Sequence, residues 1–159
     1  MIRLSRLTDY GVVLMTYVAS APDRAHTATE VATGAHLPVP TVSKLMRILT
    51  REGLLDSQRG VKGGYRLARP PAEISLAAIV SALEGPIALT LCTVDARHDC
   101  DYEPRCPVRR HLQKINRAIR KALEEIPLSE MSAPATDELA AASVDSDGVA
   151  VLTRSAALR

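Results

Sequence analysis

All three cysteines of the 159-residue chain fall in one stretch, LCTVDARHDCDYEPRCP, as Cys92, Cys100 and Cys106 with seven and five residues between them. Three thiols cannot all pair within one chain, and no signal peptide or apolar span of about 18 residues precedes them. A reduced, cytoplasmic setting with no membrane partner is the expectation, and there clustered cysteines more often bind metal or do redox chemistry than form structural disulfides. The stretch is acid-rich, contains proline and lacks glycine. Such sequence neither forms a long helix nor buries a core, so a bound group would order it. Zinc sites favour a close C-x2–4-C pair, absent here, whereas iron–sulfur clusters accept wider spacing because their thiolates grip different irons. Three incidental loop thiols are the alternative. A thiol or metal enzyme is a further one, but the chain shows no C-x-x-C pair, nucleotide loop or His–carboxylate arrangement around a nucleophile.

The elements that must position this stretch are mostly helical. With no Trp, no Phe and four Tyr, the core has to come from Leu, Ile, Val, Met and Ala. Charge is unevenly divided: residues 1–70 carry ten Lys/Arg against five Asp/Glu, residues 71–132 eight against nine, and residues 133–159 two against four. The basic excess therefore lies in the N-terminal part, as expected where a polyanion binds.

Leu7, Tyr10, Leu14, Tyr17 and Val18 recur at helical spacing from about Ser5, a cap, to Ala19. TATEVATG, from Thr27 to Gly34, reads as a short second helix with a Thr27/Glu30 capping box, closed by Gly34. Pro38 and Pro40 set the start of a third, whose stripe Val42, Leu45, Met46 and Leu49 is buried while Thr41, Ser43, Lys44 and Arg47 point elsewhere, with Gly53 as its stop. Two short helices about a tight connection form a helix-turn-helix or an ordinary helical hairpin. The sequel favours the first: Leu54–Ser57 and Gly64–Leu67 flank QRGVKGG, a hairpin with Arg59 and Lys62 at its tip, which is a basic wing. On DNA, Thr41, Ser43 and Lys44 would read major-groove edges, and Arg47, Arg59 and Lys62 would grip phosphate or the minor groove.

A further helix runs from about Ser75 to Glu84 and breaks at Gly85-Pro86, after which the apolar Ile87–Leu91 leads into the cysteines. Beyond Cys106-Pro107 lies the longest helix, with Val108, Leu112, Ile115, Ile119, Ala122 and Ile126 as a seam for a second copy, or else as the face of a singly packed surface helix. From Pro134 the sequence reads as a mostly disordered tail with a brief strand at Val149–Leu152. The expected architecture is mainly α: a winged helix-turn-helix DNA-binding domain (1–85), a cysteine loop (86–106), a long C-terminal dimerisation helix (107–132) and a tail (133–159).

RLSRLTDYGVVLM, the stretch LPVPTVSKLMRILTREGLLDSQRGVKGGYRLARPPAEISLAAIVSALEGP and the three following cysteines resemble the Rrf2 family of winged-helix iron–sulfur regulators, the group of IscR, NsrR and RirA. The likeness covers about residues 1–130. IALTLC, CDYEPRCPVRRHLQKINRAIRKAL and PLSEM resemble the branch that regulates the SUF iron–sulfur assembly system. This resemblance implies a homodimeric repressor or activator with a 2Fe-2S or 4Fe-4S cluster in each cysteine loop, tuning the binding of a double-stranded DNA operator. A nitric oxide- or iron-responsive repressor of the same family is the alternative. Cys92, Cys100 and Cys106 match the family's cluster cysteines, although the first gap is wider than in some branches. The fourth ligand in some members is a His soon after the third cysteine; that position is Arg109 here, with His111 two residues on. In others it is an Asp on the first helix of the opposite subunit, which Asp9 matches, leaving His111 and His98 as reserves. A first-turn Asp9 is also favoured by the helix dipole without any metal.

Overall fold

A computed structural model describes residues 3–60, 63–90, 93, 100 and 105–133. Cys92, His98 and Lys62, together with the tail from Pro134 and its expected strand, lie outside the described residues. The order is α1 (Arg6–Ala19), α2 (Ala28–Gly34), α3 (Val39–Arg51), β1 (Leu55–Gln58), β2 (Gly64–Leu67), a 3-10 turn (Pro71–Glu73), α4 (Leu76–Glu84), α5 (Arg109–Glu124) and α6 (Leu128–Ser132).

Helix starts follow their caps. The hydroxyls of Ser5, Thr27 and Ser75 accept from the N–H groups of Thr8, Glu30 and Ala78 at 3.1–3.2 Å, each cap being worth about 1 kcal/mol. Pro38 precedes α3 and Pro40 lies in its first turn. The stripe Val42, Leu45, Met46 and Leu49 is fully buried against Leu14, Met15 and Val18 of α1 and Val31 of α2. The core of aliphatic and methionine side chains is completed by Leu55, Leu67, Ile74, Ile79 and Leu128.

The connection from α2 to α3 departs from the expected glycine closure. Gly34 is still right-handed helix, and the left-handed residue is His36, at φ 54°. The N–H groups of His36 and Leu37 return to the carbonyls of Thr33 and Ala32 at 3.3 and 2.9 Å, the paired bonds that end a helix through a left-handed residue. Gly34 serves packing instead: a Cβ there would collide with the Tyr17 ring of α1.

The wing is an antiparallel pair with Leu55 opposite Leu67 and Gln58 opposite Gly64, one residue later than expected on its first strand. A third rung comes from His26, whose N–H and C=O both bond Tyr65 at 2.8 Å. The hairpin is thereby fastened to the segment that enters α2.

The last of these helices returns to the core. α5 starts at Arg109 and stops at Glu124, short of Ile126. The chain then turns back: the Leu76 N–H donates to the Ile126 carbonyl at 2.8 Å and the Leu128 N–H to the Ile74 carbonyl at 2.7 Å. Leu128 is 0% exposed, within the core of the winged helix.

Candidate functional site

The exposed basic face of α3 is built by subtraction. Once α3 has buried its stripe, Lys44 and Arg47 stand exposed, with Thr41 and Ser43 half-buried at the edges. Arg47 Nε donates to the Ser43 carbonyl at 3.1 Å, which holds the guanidinium along the helix surface. Arg59 is exposed at the wing tip, where Gly60 takes φ 114° and accepts the Gly63 N–H at 2.9 Å. At the entry to α2, the Arg24 guanidinium, aided by the Thr27 N–H, holds the Glu30 carboxyl below the usual carboxylate range.

Of the expected cluster ligands, Cys100 and Cys106 are half-buried and free of disulfides. Cys106 lies just before α5, its carbonyl accepting the Arg109 N–H at 3.4 Å. His111, in the first turn of α5, and Asp9, in the first turn of α1, are both exposed. Among the described residues no group of three or more His, Cys, Asp or Glu stands close enough to hold a metal ion.

The approach to the cysteines is held by a residue that the sequence analysis did not single out. Asn116 of α5 is 7% exposed. Its Oδ1 accepts the Leu89 N–H at 3.0 Å and its Nδ2 donates to the Ile87 carbonyl at 3.2 Å. A carboxamide doing both jobs satisfies two backbone groups that no sheet or helix serves. A buried Thr93 closes a turn on Thr90, its hydroxyl donating to the Thr90 carbonyl at 2.8 Å. The polar break in an otherwise apolar stripe of α5 was the available signal for Asn116.

A second tie joins this approach to α1. Glu84, the last residue of α4, accepts both the Thr8 hydroxyl at 2.5 Å and the Ser5 N–H at 2.7 Å on one oxygen. These bonds, the Thr8 hydroxyl foremost, hold its carboxyl below the usual range. Between Arg3 and Leu4 ahead of α1, α4 and α5 lies a cavity of about 420 Å³ also lined by Val80, Ile87, Ile119 and Leu123.

The apolar surface of α5 is divided rather than forming one seam. Leu112, Ile119 and Leu123 are half-buried on the side of Asn116, while Val108 and Ile115 are 51% and 49% exposed, with Ala118 and Ala122 exposed beside them. The reason is that α4 packs on one flank of the helix, which takes part of the stripe and leaves the remainder open. No helix among the described residues is long and apolar enough to cross a membrane.

Residues 4–134 match the Rrf2 family, described as iron-dependent transcriptional regulators. The chain is 30% identical over 130 residues to the HTH-type transcriptional regulator NsrR of Halalkalibacterium halodurans, covering 81% of this chain and 89% of that one. Against Protein aau3 of Rhizobium meliloti it is 32% identical over 121 residues, 76% of this chain and 74% of the other. Among solved structures, CymR (YrzC), the global cysteine regulator of B. subtilis, is similar with a TM-score of 0.66 at 25% identity, over 84% of this chain and 98% of that one. IscR of T. potens gives a TM-score of 0.61 at 27% identity, over 82% and 85%. The CymR and IscR structures share the mainly helical winged-helix fold, and NsrR and CymR are regulators rather than enzymes. A helix-turn-helix with a fastened wing, carried on a chain that matches this family across residues 4–134, identifies the protein as a member of the Rrf2 family of transcriptional regulators.

Proposed function

We propose that the chain is an iron–sulfur-cluster-binding repressor of iron–sulfur assembly (SUF) genes, working as a homodimer on a double-stranded DNA operator. The observation that carries this reading is the coexistence of an exposed basic face, Lys44, Arg47 and Arg59, with two half-buried thiols outside any disulfide, Cys106 at the head of α5 and Cys100 six residues before it in the chain. Lys44, with Thr41 and Ser43, reads base edges; Arg47, Arg59 and Lys62 hold phosphate or the minor groove. The exposed Val108, Ile115, Ala118 and Ala122 supply the surface for a second copy. Residues 1–85 serve DNA binding, 86–106 the cluster, and 107–132 dimerisation through α5, with α6 folded back on the core; 133–159 form a tail.

The donor set suits a cluster chemically. Cys100 and Cys106 are free thiols, Cys92 is the third, and the partner subunit's Asp9 is the fourth ligand in preference to His111. Once bound, the group supplies a link between these thiols that responds to iron and to oxidants. Asn116 and Glu84 act as positioning residues, one fixing the approach to the thiols and the other tying that approach to the first turn of α1. The family's iron-dependent character supports a second reading, in which the same site follows iron supply.

The test is the visible spectrum of protein purified without oxygen, with iron and sulfide counted per chain, followed by binding to duplexes upstream of SUF genes. A spectrum without iron–sulfur absorption and a count near zero refutes the cofactor. Lys44→Ala should weaken a specific site by about 1–3 kcal/mol, and Arg59→Ala should flatten the salt dependence. Unchanged binding in both variants at matched salt refutes the docking.

A further inference from the structure

We infer that Val39 reads a thymine methyl group in the major groove, an inference that rests on the DNA-binding reading above. Pro38, Val39 and Pro40 are three consecutive apolar residues, and all are exposed. Val39 is 44% exposed, among the most open large apolar side chains of the chain. Three exposed apolar residues in a row are a fault in a soluble surface unless they have a use.

The way α3 begins sharpens this. α1, α2 and α4 each start with a Ser or Thr whose hydroxyl caps the first turn. α3 starts with Pro38, makes no side-chain cap bond and has no acid in its first turn. Its head is thus apolar and free of the carboxylates that would repel phosphate, unlike α1 with Asp9 and α2 with Glu30. The turn ended by His36 fixes where that head points, through the Leu37 N–H bond to Ala32.

Val39, Ser43 and Arg47 follow one another at intervals of four and so share one ridge of the helix. The basic end of that ridge is set for the backbone, and the N-terminal residues of a recognition helix are those that meet base edges. In the major groove, thymine alone of the four bases presents a methyl group. An apolar side chain at the head of a basic ridge therefore matches a thymine, whereas an acidic or purely polar surface would offer it nothing.

The full chain is used to select duplexes from a randomised pool, and each thymine of the selected duplex is then replaced singly by uracil, which removes only the methyl. One thymine in each half-site should weaken wild-type binding about threefold to fivefold on replacement, the worth of one buried methyl-sized group. Val39→Ala should bind the thymine duplex weaker by a similar factor and be indifferent to uracil at that position. Val39→Thr, which replaces one γ-methyl by a hydroxyl and keeps the other, should fall between wild type and Val39→Ala in its response to uracil. The proposal is overturned if no thymine is sensitive, or if Val39→Ala responds to uracil as the wild type does. Failure to enrich any duplex sinks the DNA-binding reading itself, a distinguishable result. Should Val39→Ala bind DNA normally yet lose a protein partner, the apolar head belongs to that partner and the thymine reading falls.

Discussion

The Thr8 hydroxyl donates to Glu84 Oε1 at 2.5 Å and thereby joins the first turn of α1 to the last residue of α4. Thr8 is fully buried, and the same oxygen also takes the Ser5 N–H. Glu84→Ala should cost about 1–2 kcal/mol in chemical denaturation by stranding the buried hydroxyl, and Glu84→Gln, which keeps an acceptor, should cost less. The carboxyl is held below its usual range, so the extra stability its charge contributes is complete above the ordinary glutamate value of about 4.3 and is lost as pH falls through the lowered one. The gap between wild type and Glu84→Ala should therefore narrow in acid, the neutral carboxyl still accepting as the Gln amide does. A gap independent of pH would count against the tie.

Asn116→Ala leaves the Leu89 N–H and Ile87 carbonyl without their partner, at a cost of about 1–3 kcal/mol. Its more telling effect should be faster reaction of Cys100 and Cys106 with a thiol reagent under native conditions. Equal rates in variant and wild type would show that the cysteines do not depend on this anchor.

Leu128 belongs to the core although it follows the long helix. Leu128→Ala should destabilise by roughly 2–5 kcal/mol. A chain ending at Glu125 should lose cooperative unfolding, whereas one ending at Ala133 should keep it together with DNA binding. If the shorter chain melts like the longer one, α6 is dispensable.

His36 holds a left-handed backbone that glycine adopts more readily. His36→Gly should raise stability by about 0.5–1 kcal/mol, after allowing for the greater freedom of glycine in the unfolded chain. Gly34→Ala should lower it by about 1–3 kcal/mol through its collision with Tyr17. The opposite signs at two positions of one turn are read from denaturation midpoints, and a loss of stability in His36→Gly would contradict the account.

On the proposed cluster-binding reading, Asp9→Ala should leave the chain folded, because the side chain is exposed, while making the cluster altered or more easily lost. Alanine at Cys92, Cys100 or Cys106 should prevent stable loading. His111→Ala serves as the comparison: if it disturbs the spectrum and Asp9→Ala does not, the histidine is the fourth ligand.

Local signals were enough for much of the fold. The caps Ser5, Thr27 and Ser75, the stripe from Val42 to Leu49 and the glycines of the wing act over a few residues, so their consequences are written in spacing and residue type. The helix-turn-helix and its wing were legible for that reason, and so was the family. What only the tertiary structure decided are relations between residues far apart in the chain. His26 pairs with Tyr65, Thr8 with Glu84, Asn116 with Leu89, and Leu128 enters a core assembled mostly by residues before Ile79. No short-range pattern encodes these, because a hydrogen bond or buried contact across many residues depends on where the packed helices bring the backbone. The same holds for α5, whose apolar spacing fixes a stripe but not which flank α4 covers, and for Gly34, where the approach of Tyr17 rather than backbone freedom demands the missing side chain.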